Sequence, residues 1–106
     1  MARTGRNDLA TQALWRQVEA KLLARRGHAE EAERLIREAV AITDPTQNLE
    51  LRANSLVDLG TVLELIGKPE DARAALERAL DLHELKGNVV MAERMRTRLS
   101  AASPSA

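Results

Sequence analysis

The chain has 106 residues, 16 of them basic and 16 acidic, so its net charge is zero, and its length is that of one domain with a modest core. Balanced charge provides no net field toward nucleic acid or an anionic membrane, and one Trp with no Phe or Tyr leaves no aromatic platform for single strands. Without cysteine there is no disulfide framework, thiolate nucleophile or thiolate-bound zinc. No apolar run approaches the about 18 residues of a membrane span, and MARTGRNDLA lacks the apolar stretch of a secretion signal. The expectation is a cytoplasmic protein that binds neither nucleic acid nor membrane.

In chain order, the first predicted helix covers about residues 9–26. Asp8 stands at its N-cap, where a side-chain oxygen accepts from the free donors of the first turn. Leu9, Leu14, Trp15, Val18, Leu22 and Leu23 spread apolar character around more of this helix than one neighbour covers. Gly27 ends it in a tight turn, and Arg26 complements the negative helix end. The second helix, about 29–43, carries Glu30 and Glu31 in its first turn, and Pro45 follows as a stop. Asn48 caps a third helix over about 49–66, and Gly67 closes it. Pro69 then opens a fourth helix, 69–85, at the position where its missing N–H loses nothing. Gly87 stops that helix, and Asn88 caps a fifth over about 89–101. Residues 1–7 and 102–106 carry no pattern and are expected to be mobile.

Two of these segments nearly coincide. GHAEEAERLIREAV, residues 27–40, matches GKPEDARAALERAL, residues 67–80, at an offset of 40. Three triplets extend the offset along the chain: Asp8, Asn48 and Asn88; Leu9, Leu49 and Val89; Ala20, Gly60 and Ser100. A period in this range marks a solenoid unit. It divides one all-α domain over 8–101 into repeats at about 8–47 and 48–87 with a capping helix at 88–101. The small triplet at 20, 60 and 100, with Ala32, Ala39, Ala72 and Ala79, is expected where paired helices come close.

The unit resembles the tetratricopeptide repeat (TPR). Residues 53–84 carry Leu56, Leu59-Gly60, Leu63, Gly67, Ala72, Leu76 and Ala79-Leu80 at that family's steps. Residues 13–44 match through Ala20, Leu23, Gly27, Ala32, Ile36 and Ala39, but set Arg16 and Glu19 where apolar side chains are usual. The period of 40 is also longer than the family's usual length of about 34. The resemblance implies a TPR-like helical-repeat solenoid, two helix-turn-helix units and a last helix stacked right-handedly, that binds a protein or peptide segment on the concave wall of its first helices. The stretch from TQALWRQVEAKLLARRG to NVVMAER is also similar to the carboxyl-terminal helical segment of actinobacterial regulatory proteins that join repeats to cyclase or signalling-ATPase domains. That likeness implies a regulatory tail and transfers no catalytic residue.

No phosphate loop, paired-histidine helix, calcium loop or nucleophile elbow is present. The acidic pairs Glu30-Glu31 and Glu70-Asp71 read as first-turn dipole partners, and His28 and His83 as exposed capping or surface residues. No catalytic, cofactor-binding or metal-ligating set is assigned, and the chain reads as a non-enzyme without cofactor. The candidate groove residues are Lys21, Asn54, Asp58, Arg94 and Arg98: Arg94 and Arg98 share a helix face and with Lys21 resemble part of a cationic clamp for a peptide carboxylate, whereas Asp58 would repel one. Leu14, Trp15, Val18 and Leu22 form the second candidate surface. They either fold onto helix 29–43 or meet another copy, a larger protein or a ligand helix. The functions carried forward are a protein-interaction module, a homodimerisation unit and, third, a small-ligand sensor.

Overall fold

A computed structural model describes residues 8–102. Five helices follow one another: α1 (Asp8–Arg25), α2 (Ala29–Thr43), α3 (Leu49–Leu65), α4 (Pro69–Lys86) and α5 (Val89–Ala102). The expected ends hold within a residue or two, because each is set by local chemistry. Gly27, Gly67 and Gly87 take φ values of 88°, 85° and 82°, the left-handed conformation that terminates a helix at little cost to glycine. Asn48 Oδ1 accepts from Leu51 N at 3.0 Å and Asn88 Oδ1 from Met91 N at 3.1 Å, so both act as the expected caps. The corresponding side chain of Asp8 lies outside the described residues, as do 1–7 and 103–106 of the expected mobile segments, whereas Ala102, expected in the tail, is the last residue of α5. Pro69 is the first residue of α4.

Helices pack as consecutive antiparallel pairs, α1 with α2 and α3 with α4, and α5 lies against α4. The alanine ladder does what its spacing requires: Ala20, Ala32, Ala39, Ala72 and Ala79 are all buried, letting backbones approach. Gly60 carries this furthest, since a Cβ there would lie 2.7 Å from Leu76 Cδ2 and 2.8 Å from its Cγ. Ile36, Leu56, Leu63 and Leu76 fill the remaining core.

Two expectations fail. Ser100 is exposed although Ala20 and Gly60, one and two periods earlier, are buried. Those residues meet the second helix of their own pair, and among the described residues α5 has no such partner. His83 is buried, 2% exposed, with Nε2 lacking a hydrogen-bond partner, whereas His28 is exposed and makes no side-chain cap. The spacing of Ala72, Leu76, Ala79 and His83 places all four on the inner face of α4, and that geometry overrides the polarity of the imidazole.

Where the first repeat departs from the second, an ion pair compensates. Leu56 is buried at a position where α1 carries Arg16. Arg16 Nε instead donates across the pair to Glu38 Oε1 on α2 at 3.0 Å, and Arg34 donates to the other oxygen at 2.8 Å. These bonds, that from Arg16 foremost, hold the Glu38 carboxyl below its usual range. Between repeats, Lys68 donates to Glu33 Oε1 at 2.8 Å and Arg78 to Asp44 Oδ1 at 3.4 Å.

Candidate functional site

The first helices of the units, α1, α3 and α5, form one wall. On it Lys21 Nζ donates to Asp58 Oδ1 at 3.1 Å, and Arg98 donates to Thr61 Oγ1 at 2.9 Å and to Glu64 Oε1 at 3.0 Å. Lys21, Asp58 and Arg98 are thus brought together from three helices. Burial pushes the Asp58 carboxyl up, and Lys21 and then Arg98 pull it back. Signs alternate along the wall, and each of these cations is already matched by a carboxylate. Asn54 and Arg94 stand exposed on the same helices. Arg94 makes none of the ion pairs found among the described residues and lines an open hollow of about 520 Å³ with Val89, Val90, Glu93 and Thr97. The structure therefore gathers Lys21, Asp58 and Arg98 and leaves Asn54 and Arg94 apart from their contacts.

The second surface is the outer face of α1. Leu14, Trp15, Val18 and Leu22 are 58%, 47%, 48% and 40% exposed, so the stripe is not folded onto α2. Trp15 is held in place without being covered: its Nε1 donates to Gln12 Oε1 at 3.4 Å, and the Arg16 guanidinium sits 4.5 Å from the ring centroid.

The offset of 40 explains what kind of face this is. Trp15 corresponds to Ser55 and Met95, and Leu22 to Val62. Ser55, Val62 and Met95 are 0%, 0% and 3% exposed. In α3 these positions turn toward the preceding pair, for α3 packs on both α1 and α2. The junction is marked by a buried polar chain in which Gln17 Nε2 donates to Ser55 Oγ at 3.1 Å and Thr43 Oγ1 donates to Ser55 Oγ at 3.0 Å. Trp15 and Leu22 thus occupy the register of a junction between stacked units, whereas Leu14 repeats the exposed Asn54 and Arg94 and Val18 the half-buried Asp58 and Arg98, so the stripe runs from the junction onto the wall, and none of the described residues covers it.

The model of the tetratricopeptide repeat matches residues 5–84. The chain belongs to the tetratricopeptide repeat family. No curated protein and no solved structure gives a match. TPR units are in general protein-interaction modules and typically carry no catalysis. Among the described residues, no three or more His, Asp or Glu side chains are grouped to hold a metal ion, and no helix is long and apolar enough to cross a membrane.

The two ends of this TPR stack differ. At the α5 end, Glu93 and Ser100 stand where α3 has the buried Ala53 and Gly60, and Arg96 where it has Leu56; all three are exposed. Arg96 pairs with both Glu84 and Glu93. A polar face of this kind closes a solenoid. The α1 end presents Leu14, Trp15, Val18 and Leu22 along a whole helix, whereas exposed valines on α5 are confined to Val89 and Val90 in its first turn. The polar chain Gln17–Ser55–Thr43 and the Arg98 partners Thr61, by hydrogen bond, and Glu64, by ion pair, escaped the reading of the residues alone. Their signal was present as a departure from periodicity, since Ser55 and Thr43 give way to Met95 and His83 one repeat on.

Proposed function

We propose that this chain is a TPR module whose contact with a protein partner is made on the outer face of α1. The observation that carries the reading is the register of Trp15 and Leu22: Trp15 repeats Ser55 and Met95, and Leu22 repeats Val62, and all three are buried. Apolar surface of this kind, with Trp15 and Leu22 at positions covered one unit later, is matched by a helical partner that stacks on it. A partner provides apolar side chains with room for an indole, which the small, polar Gln17–Ser55–Thr43 junction does not have.

The concave wall is the second reading, and Arg94 is what favours it, as an exposed cation beside a hollow. Against an acidic segment, however, Lys21 and Arg98 have first to leave Asp58 and Glu64. Homodimerisation is the form the α1 reading takes where the partner is a second copy of the chain. A role as the regulatory segment of a larger signalling protein rests on the sequence resemblance alone.

The two surfaces are separable by mutation, since all the residues concerned are at least partly exposed and their replacement leaves the core intact. Trp15→Lys should remain helical by circular dichroism and lose at least tenfold in affinity for proteins that co-purify with the wild-type chain. Arg94→Ala with Arg98→Ala should leave that binding nearly unchanged. The reverse pattern, with salt-sensitive binding abolished by the arginine double variant, assigns the contact to the concave wall.

A further inference from the structure

We infer that α5 is an acid-released latch, seated against the buried imidazole of His83 and let go when that ring takes up a proton. His83 is 2% exposed, and its Nε2 has no hydrogen-bond partner. The imidazolium carries an N–H on both ring nitrogens, and a charged donor without an acceptor is costly to keep buried. The offset of 40 places the ring at the α4–α5 junction. His83 repeats Thr43, whose hydroxyl lies 3.0 Å from Ser55 Oγ on the next first helix, and Ser55 repeats Met95. Where the first junction sets a hydroxyl against a hydroxyl, the second sets an imidazole against an apolar helix, with Ala92 and Met95 both buried.

The surrounding charges do not rescue the protonated ring. α4 packs against α3 and α5. From α3, Glu50 favours the imidazolium, but burial outweighs it. From α5, Arg96 is taken up by Glu84 and Glu93, and on α4 itself Glu84 and Lys86 are exposed. α5 is the element able to yield. Among the described helices it is the last, and it lies on α4, with Arg98 reaching Thr61 and Glu64 on α3. By contrast, α3 is held by α1, α2 and α4 together. In a stack held by nearest neighbours, weakening a terminal junction opens that junction before the rest unfolds. Once released, the ring meets water and titrates near its ordinary value of about 6.5, whereas burial holds it lower in the docked state. The released form therefore binds the proton first. Its population relative to the docked form rises up to about tenfold per pH unit below about 6.5, until the docked ring titrates too. Release takes Arg94 and Arg98 off the concave wall and bares the side of α4 that Ala92, Met95 and Leu99 cover.

The chain has no cysteine, so pairs of spin labels can be set at chosen exposed positions of the full chain and their separation read by pulsed electron spin resonance. Glu70→Cys with Thr97→Cys spans α4 and α5, and Glu30→Cys with Glu70→Cys spans α2 and α4. Between about pH 7.5 and about pH 5, the first pair should gain a second, broad and longer distance whose share grows up to about tenfold per unit. The second pair should keep one distance throughout. In His83→Leu the α4–α5 distance should no longer depend on pH. His83→Thr, which restores the residue of the first repeat, gives the same test should leucine disturb the fold. An α4–α5 distance unchanged over the range overturns the inference. Broadening of both pairs together also overturns it, since the whole fold is then lost rather than α5 alone, and so does a transition that survives both substitutions.

Discussion

Gly60→Ala should destabilise the wild-type chain and stabilise the Leu76→Ala variant. Leu76 is fully buried, and its truncation is expected to cost about 2–5 kcal/mol from lost burial and the cavity left behind. That is a large share of the roughly 5–15 kcal/mol that holds a domain of this size. A methyl at position 60 would sit 2.7–2.8 Å from the Leu76 side chain, and forcing it in costs about 1–3 kcal/mol. The same substitution gains about 1 kcal/mol of helix propensity. With leucine present the clash dominates; with alanine at 76 the methyl enters vacated space and the propensity gain shows. Ala72→Leu, at the same approach, should cost about 1–3 kcal/mol, and Glu77→Leu on the exposed face little. Urea midpoints of the single and double variants read the coupling, and additive effects of Gly60→Ala and Leu76→Ala would contradict the α3–α4 contact described.

Stability should fall as pH drops below about 6.5, and His83→Leu should remove that slope. Burial at the end of α4 holds the His83 imidazole below its ordinary range; Glu50 pulls in the other direction, as does the negative end of the helix. Nε2 has no acceptor to which it could donate once protonated. Because the folded-state pKa is depressed, the unfolded chain takes up the proton first, and each pH unit below the unfolded value costs up to about 1.4 kcal/mol until the folded histidine also titrates. Asp58 works in the opposite sense in the carboxylate range: its raised pKa lets the folded state bind the proton first. Glu33 is held low by Lys68 and then Arg37, so its contribution is lost as pH falls below about 4.5. Denaturant midpoints between about pH 5 and pH 7 isolate the histidine. An unchanged slope in His83→Leu would assign the effect to other groups.

The backbone plan was legible because glycine, proline and asparagine act locally. Gly27, Gly67, Gly87, Pro69, Asn48 and Asn88 each set an end without reference to the rest of the chain. The offset of 40 carried the pairing of helices, and the excess apolar character of α1 pointed to its exposed stripe. What escaped detection depends on side-chain reach across helices. Lys21 meets Asp58 and Arg98 meets Glu64 over separations of 37 and 34 residues, which no local pattern encodes. His83 is the instructive case, since its spacing from Ala72, Leu76 and Ala79 marks it as inward, and position prevails over the polarity of the residue. Ser100 shows the converse limit. A small residue at the right step is buried only if the helix it would face exists.

The central claim is that the outer face of α1 is where this module touches another protein. A photo-crosslinking amino acid placed at position 22, and separately at position 94, tests it at the resolution of single residues. The expected result is a crosslinked protein adduct from position 22 that is lost with Trp15→Lys, and little or none from position 94. Adducts from position 94 with none from position 22 would contradict the account and move the contact to the concave wall.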